Sequence, residues 1–109
     1  MSIAKTPSPP YYAVIFTNQL SGKELESYGQ MAEQMETLAQ QQPGYFGLES
    51  SRDGLGITIS YWKSLEAIKN WKANTDHLVA QEKGRTDWYR AYKTRICLVE
   101  RDYGFEGES

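Results

Sequence analysis

Residues Tyr11 to Thr17 read YYAVIFT, an aromatic and β-branched run with apolar side chains at odd and even positions alike. Successive side chains of a strand leave its two faces in turn, so this segment must be covered on both sides. The remainder of the chain offers cover for one. From Gly22 to Gln42 the apolar residues Leu25, Tyr28, Met31, Ala32, Met35, Leu38 and Ala39 recur at three-and-four spacing, one stripe of an amphipathic helix. Ser21 is its candidate N-cap and Pro43-Gly44 its stop. Tyr45 to Arg52 and Leu55 to Trp62 flank Asp53-Gly54, which suits a tight hairpin. Within the second of these strands, Leu55, Ile57, Ile59 and Tyr61 take one face and Gly56, Thr58, Ser60 and Trp62 the other.

Ser64 is placed to cap a second helix, SLEAIKNWKAN, with Leu65, Ile68, Trp71 and Lys72 on one side. A further helical piece, DHLVAQEK, stops at Gly84, and a short third piece, TDWYRAYK, sets Trp88 and Tyr92 four apart on one face. Thr94 to Tyr103 alternates as a last strand. The order β-α-β-β-α-β predicts an α+β, ferredoxin-like split β-α-β fold, a four-stranded antiparallel sheet with both helices on one face. A second copy packed sheet against sheet is the economical cover for the other face, so a homodimer is expected. Residues 1–10, with Pro7, Pro9 and Pro10, read as a flexible arm, 11–103 as the domain and 104–109 as a polar tail.

With 109 residues the chain is one domain's worth, and 39% hydrophobic against 24% charged residues is a globular balance. Twelve Lys and Arg against 14 Asp and Glu give a net charge of -2, so no basic field holds nucleic acid. One Cys and one His build neither a disulfide nor a tetrahedral zinc site. No apolar run is long enough for a bilayer and the start lacks a secretory apolar centre, which leads to the expectation of a cytoplasmic protein without a membrane partner. The nearest match to a phosphate-binding glycine loop, Gly54-Leu55-Gly56, lies in a hairpin rather than before a helix, so no nucleotide cofactor is indicated. No Ser occupies a nucleophile elbow.

What stands out is aromatic density around one histidine: Tyr61, Trp62, Trp71, His77, Trp88, Tyr89 and Tyr92. Buried Trp N–H and Tyr O–H groups need partners, so such a cluster either walls a cavity or packs the core and a dimer interface. Trp71 and Trp88 are the leading wall candidates, with Tyr61, Tyr92 and Gln81 as further ligand contacts. Asn18 closes the first strand, where its amide either projects under the helices or ends the strand in a turn. Cys97 reads as a small hydrophobe.

The segments FTNQL (16–20), PGYFGLES (43–50), GITISYWKSLEAIKNW (56–71) and HLVAQEKGRTDWYRAY (77–92) resemble the antibiotic-biosynthesis-monooxygenase-like proteins of the dimeric α/β-barrel superfamily. The resemblance implies a dimeric α/β barrel. It sets Asn18 where haem-degrading and quinone-forming members have an Asn that hydrogen-bonds substrate or an oxygen intermediate, and Trp71 where the haem-degrading branch has a functional Trp. That branch carries its haem-binding His at the position of Gln81, which offers iron no imidazole, and His77 lies one helical turn earlier. The function implied is a cofactor-independent monooxygenase of a small hydrophobic aromatic ligand, using no metal, with Asn18, His77 and Trp71 catalytic and His77 as base. The alternatives are a non-catalytic ligand-binding or stress-associated dimeric module, and a haem-degrading oxygenase.

Overall fold

A computed structural model describes residues 2–23, 25–80 and 88–107. Six elements run in the expected order: β1 (Tyr11–Leu20), α1 (Leu25–Gln40), β2 (Tyr45–Asp53), β3 (Leu55–Trp62), α2 (Leu65–Ala80) and β4 (Tyr89–Val99). They form one antiparallel sheet, ordered β2-β3-β1-β4. The two crossover helices put β1 and β3 in the middle of the sheet, the split β-α-β arrangement.

Local chemistry explains the element ends. The Ser64 hydroxyl accepts from the Ala67 amide at 3.0 Å, capping α2 as its position suggested. Ser21 instead accepts from Lys23 N at 3.1 Å in a turn through Gly22, whose φ is +88°, and α1 is described from Leu25. Gly44, at φ +85°, lies so close to Lys63 and Ala67 that a Cβ there would stand 2.9 Å from the Ala67 methyl.

Two readings of the second half are corrected. SLEAIKNWKAN and DHLVAQEK are not separate helices up to Ala80: α2 passes straight through Asn74-Thr75-Asp76. These poor helix formers turn their polar groups onto the preceding turn, Thr75 Oγ1 donating to Lys72 O at 2.9 Å and Asn74 Nδ2 to Asn70 O at 3.0 Å. Nor do residues 89–93 continue a third helix; β4 begins at Tyr89 and ends at Val99, rather than running from Thr94 to Tyr103. β1 extends to Leu20, and the ladder it offers recruits Tyr89 to Lys93 as its partner.

Register separates the two faces. Tyr12, Val14, Phe16 and Asn18 lie opposite Trp62, Ser60, Thr58 and Gly56 on the side that carries the helices. There Val14, Trp62, Ile68 and Ala39 make one buried cluster, with Tyr12, Tyr45 and Trp71 against it. Met31 and Trp88 make a second, joined by Tyr28, Met35 and Tyr89. The odd positions of β1 face away from the helices. Tyr11 on that side is buried, edge-on to Phe46 and Tyr61, and its hydroxyl donates to Asp102 at 2.6 Å. Arm residues meet this end of the sheet too: Ala4 N donates to Glu49 at 2.9 Å and Thr6 Oγ1 to the Tyr11 hydroxyl at 3.1 Å. Further along the same face Leu55 and Ile57 remain exposed. No helix among the described residues is long and apolar enough to cross a membrane.

Candidate functional site

Four residues form a row across the sheet on its helix-bearing face. Arg52 of β2 lies opposite Gly56 of β3, Gly56 opposite Asn18 of β1, and Asn18 opposite Tyr92 of β4. Gly56 has no side chain to separate its neighbours, and a Cβ there would collide with the Arg52 guanidinium. Arg52 therefore reaches over β3, and its Nη2 donates to Asn18 Oδ1 at 2.5 Å. The Asn18 side chain is buried, with only 2% of its surface exposed. Because Oδ1 is engaged by a cation, the amide is fixed with Nδ2 as its donor end.

The row is bordered by aromatic rings. Phe16, the neighbour of Asn18 on the same face, lies 5.6 Å from both Tyr89 and Tyr92. Tyr28 of α1 packs edge-on to Tyr89 at 5.7 Å and to Trp88 at 6.1 Å, and its hydroxyl is 3.4 Å from Arg52 Nη2. Burial, reinforced by the hydrogen bond with Tyr28, raises the Tyr89 phenol above its ordinary pKa, so it stays protonated at neutral pH. A shallow groove of about 180 Å³ lies at this end of the sheet on the opposite, helix-free face, where Thr17, Gln19, Leu55, Ala91 and Lys93 line it with Asn18 and Tyr92 at its edge.

The residues singled out from the sequence are distributed unequally about this site. Asn18 and Tyr92 face each other across β1 and β4. Trp88 is 2% exposed inside the Met31 cluster, its Nε1 donating to Ser27 Oγ at 2.9 Å. Trp71 belongs to the other cluster, 5.1 Å from the Trp62 ring, and its Nε1 is buried with no hydrogen-bond partner among the described residues. Trp62, by contrast, satisfies its indole through Ser60 Oγ at 2.8 Å. Tyr61 lies on the opposite face of the sheet, donating to Glu49 at 2.7 Å. Trp71, Trp88 and Tyr61 therefore do not wall one common cavity. His77 is exposed in the last turn of α2, and Gln81 lies outside the described residues. Arg52 was not singled out at all. Its signal was Gly56, a glycine inside a strand rather than in the turn, which marks close approach of another group.

A family profile described as antibiotic biosynthesis monooxygenase matches residues 11–83. The chain is 49% identical over 106 residues to "Uncharacterized protein YqjZ" of Bacillus subtilis strain 168, covering 95% of this chain and 92% of that one. It is 25% identical over 92 residues to "Jasmonate monooxygenase ABM" of Pyricularia oryzae, a match over 81% of this chain that spans only 43% of the fungal protein. Among solved structures, SnoaB, a cofactor-independent oxygenase from Streptomyces nogalater, superposes with a TM-score of 0.65 at 12% identity, over 91% of this chain and all of that one.

Proposed function

From the premise that this chain belongs to the antibiotic biosynthesis monooxygenase family, we propose that it is a cofactor-independent monooxygenase of a hydrophobic, electron-rich aromatic substrate. The observation that carries this reading is the buried Asn18 amide, oriented by Arg52 beside the Phe16, Tyr89 and Tyr92 rings. An enolate of an anthrone-like substrate is itself reducing enough to transfer an electron to dioxygen. Recombination then forms a C–O bond, and the hydroperoxide loses water to leave a carbonyl, so that CH2 and O2 give C=O and H2O. The protein's part is to orient the ring, stabilise the oxyanion through Asn18 Nδ2 and exclude bulk water. No step requires His77, which is exposed; water serves to take the proton of an acidic substrate.

The proposal extends to assembly. Leu55 and Ile57 are exposed on the helix-free face, alongside Ile59 at half burial, and a second copy packed there completes a dimeric barrel.

Oxygen uptake with a panel of anthrones and 1-naphthols tests the reaction. One O2 consumed per quinone formed, with hydrogen peroxide absent, is the expected result. Saturable binding without uptake throughout the panel overturns it in favour of a non-catalytic binding module.

A further inference from the structure

Arg52 is a cation at a site otherwise built of rings and one amide. Both of its described hydrogen bonds, to Asn18 Oδ1 and the Tyr28 hydroxyl, are made by Nη2. Its ζ carbon lies 6.0 Å from the centre of the Tyr28 ring. The hydrogen-bond acceptors described for it are neutral, and no carboxylate among the described residues pairs with it. An arginine anchored by neutral groups keeps its full charge for a further ligand, and a guanidinium suits a planar oxygen anion.

Resting on the reading of this site given above, we infer that the substrate is taken as an anion, its charged oxygen shared between the Arg52 guanidinium and Asn18 Nδ2 and its apolar part against Phe16, Tyr89 and Tyr92. The charge has two possible sources, an ionised phenol or enol and a carboxylate. Arg52 thereby selects for acids and lowers the pKa of a bound phenol or enol, which supplies the reactive anion without a dedicated protein base. Gly56 is part of the device, since any side chain there displaces the guanidinium from Asn18.

Two probe pairs test this by binding alone. A cyano-substituted 2-naphthol reports its own ionisation by absorbance, and 2-naphthoate is compared with the neutral 2-naphthamide. On the wild-type chain, at least one anion is expected to bind about tenfold tighter than its neutral form, equivalent to about one unit of pKa for the naphthol. Preference for the naphtholate identifies a phenol or enol, and preference for naphthoate a carboxylate. Arg52→Gln, which keeps a donor for Asn18 but no charge, removes the preference while neutral probes bind as before; Arg52→Lys retains part of it. Equal binding of anions and neutral forms, no binding of any probe, or a preference unchanged in Arg52→Gln overturns the inference. Anion selectivity without oxygen uptake overturns the monooxygenase reading alone. Turnover unaltered by Arg52→Gln overturns the anion site alone.

Discussion

Arg52 and Asn18 stand on strands that are not neighbours, yet they are hydrogen-bonded, because the residue between them on β3 is Gly56. The contact ties the hairpin tip to the end of β1 and turns an amide at the sheet's end into a donor of fixed orientation. It also makes the site sensitive to a position that offers no functional group of its own.

Gly56→Ala is expected to cost about 1–3 kcal/mol, since the guanidinium it displaces leaves the buried Asn18 carbonyl without that partner, while the backbone, which is not at positive φ, accepts the methyl group itself. Ligand affinity or turnover falls with it, because the guanidinium leaves Asn18. Thermal melting together with a binding titration checks this; a variant that binds as the parent does would separate Gly56 from the site.

Asn18→Ala is expected to lower turnover by about 10²–10³, the usual loss on removing one oxyanion donor. Its effect on folding is confined to about 1 kcal/mol, because Arg52 is exposed and water replaces the lost acceptor. Circular dichroism and steady-state oxygen uptake read the two effects separately.

The neighbouring indoles of Trp62 and Trp71, tilted 36° to each other, differ in what their nitrogens do. Trp62→Phe strands the buried Ser60 hydroxyl and costs about 1–3 kcal/mol beyond the change in volume. Trp71→Phe deletes a donor with no partner among the described residues, so beyond the change in volume it is expected to cost nothing. Denaturant unfolding of both variants tests the order; a larger loss for Trp71→Phe contradicts it.

Alkaline pH is expected to destabilise the fold. Burial raises the Tyr61 and Tyr89 phenols above the ordinary 10.0, aided by the hydrogen bonds to Glu49 and Tyr28 respectively. Below pH 10 both states hold these protons and the stability is complete. As pH rises through 10 the unfolded chain releases them first, so stability declines until the folded-state values are passed. The melting temperature between pH 8 and 11 should fall, and less steeply in Tyr61→Phe and Tyr89→Phe.

Light scattering at micromolar concentration is expected to return twice the 12.5 kDa of the chain. Ile57→Glu puts a charge on the helix-free face and should yield the monomer without unfolding it. A wild-type monomer would remove the second copy from the proposed assembly.

The fold was legible in the sequence because YYAVIFT, the α1 stripe and the Asp53-Gly54 hairpin are each local patterns with one period. The start of β4 was not, since Trp88 and Tyr92 have helical spacing and only the Asn18–Tyr92 pairing makes them strand neighbours. Asn74-Thr75-Asp76 read as a break because its side chains compete for backbone groups, a competition the preceding turn of α2 absorbs. Asn18 and Tyr92 were singled out from chemistry and resemblance, and the register sets them opposite each other. Arg52 escaped because its importance depends on registry across three strands, which composition and spacing do not express.

Between Gln19 and Leu20 the β1–β4 register slips, and Leu20 pairs with Tyr89 rather than with the next residue in alternation. That slip turns Tyr89 toward Phe16 and Tyr28. Residue count here, more than residue type, decides which rings border Asn18. Removing one residue from the bulge would reverse the facing of Tyr89 while leaving the ladder from Tyr11 to Asn18 in place. Relatives with a single insertion or deletion at this point can thus present a different wall to their ligand on an unchanged sheet, a route to new specificity that substitution alone does not supply.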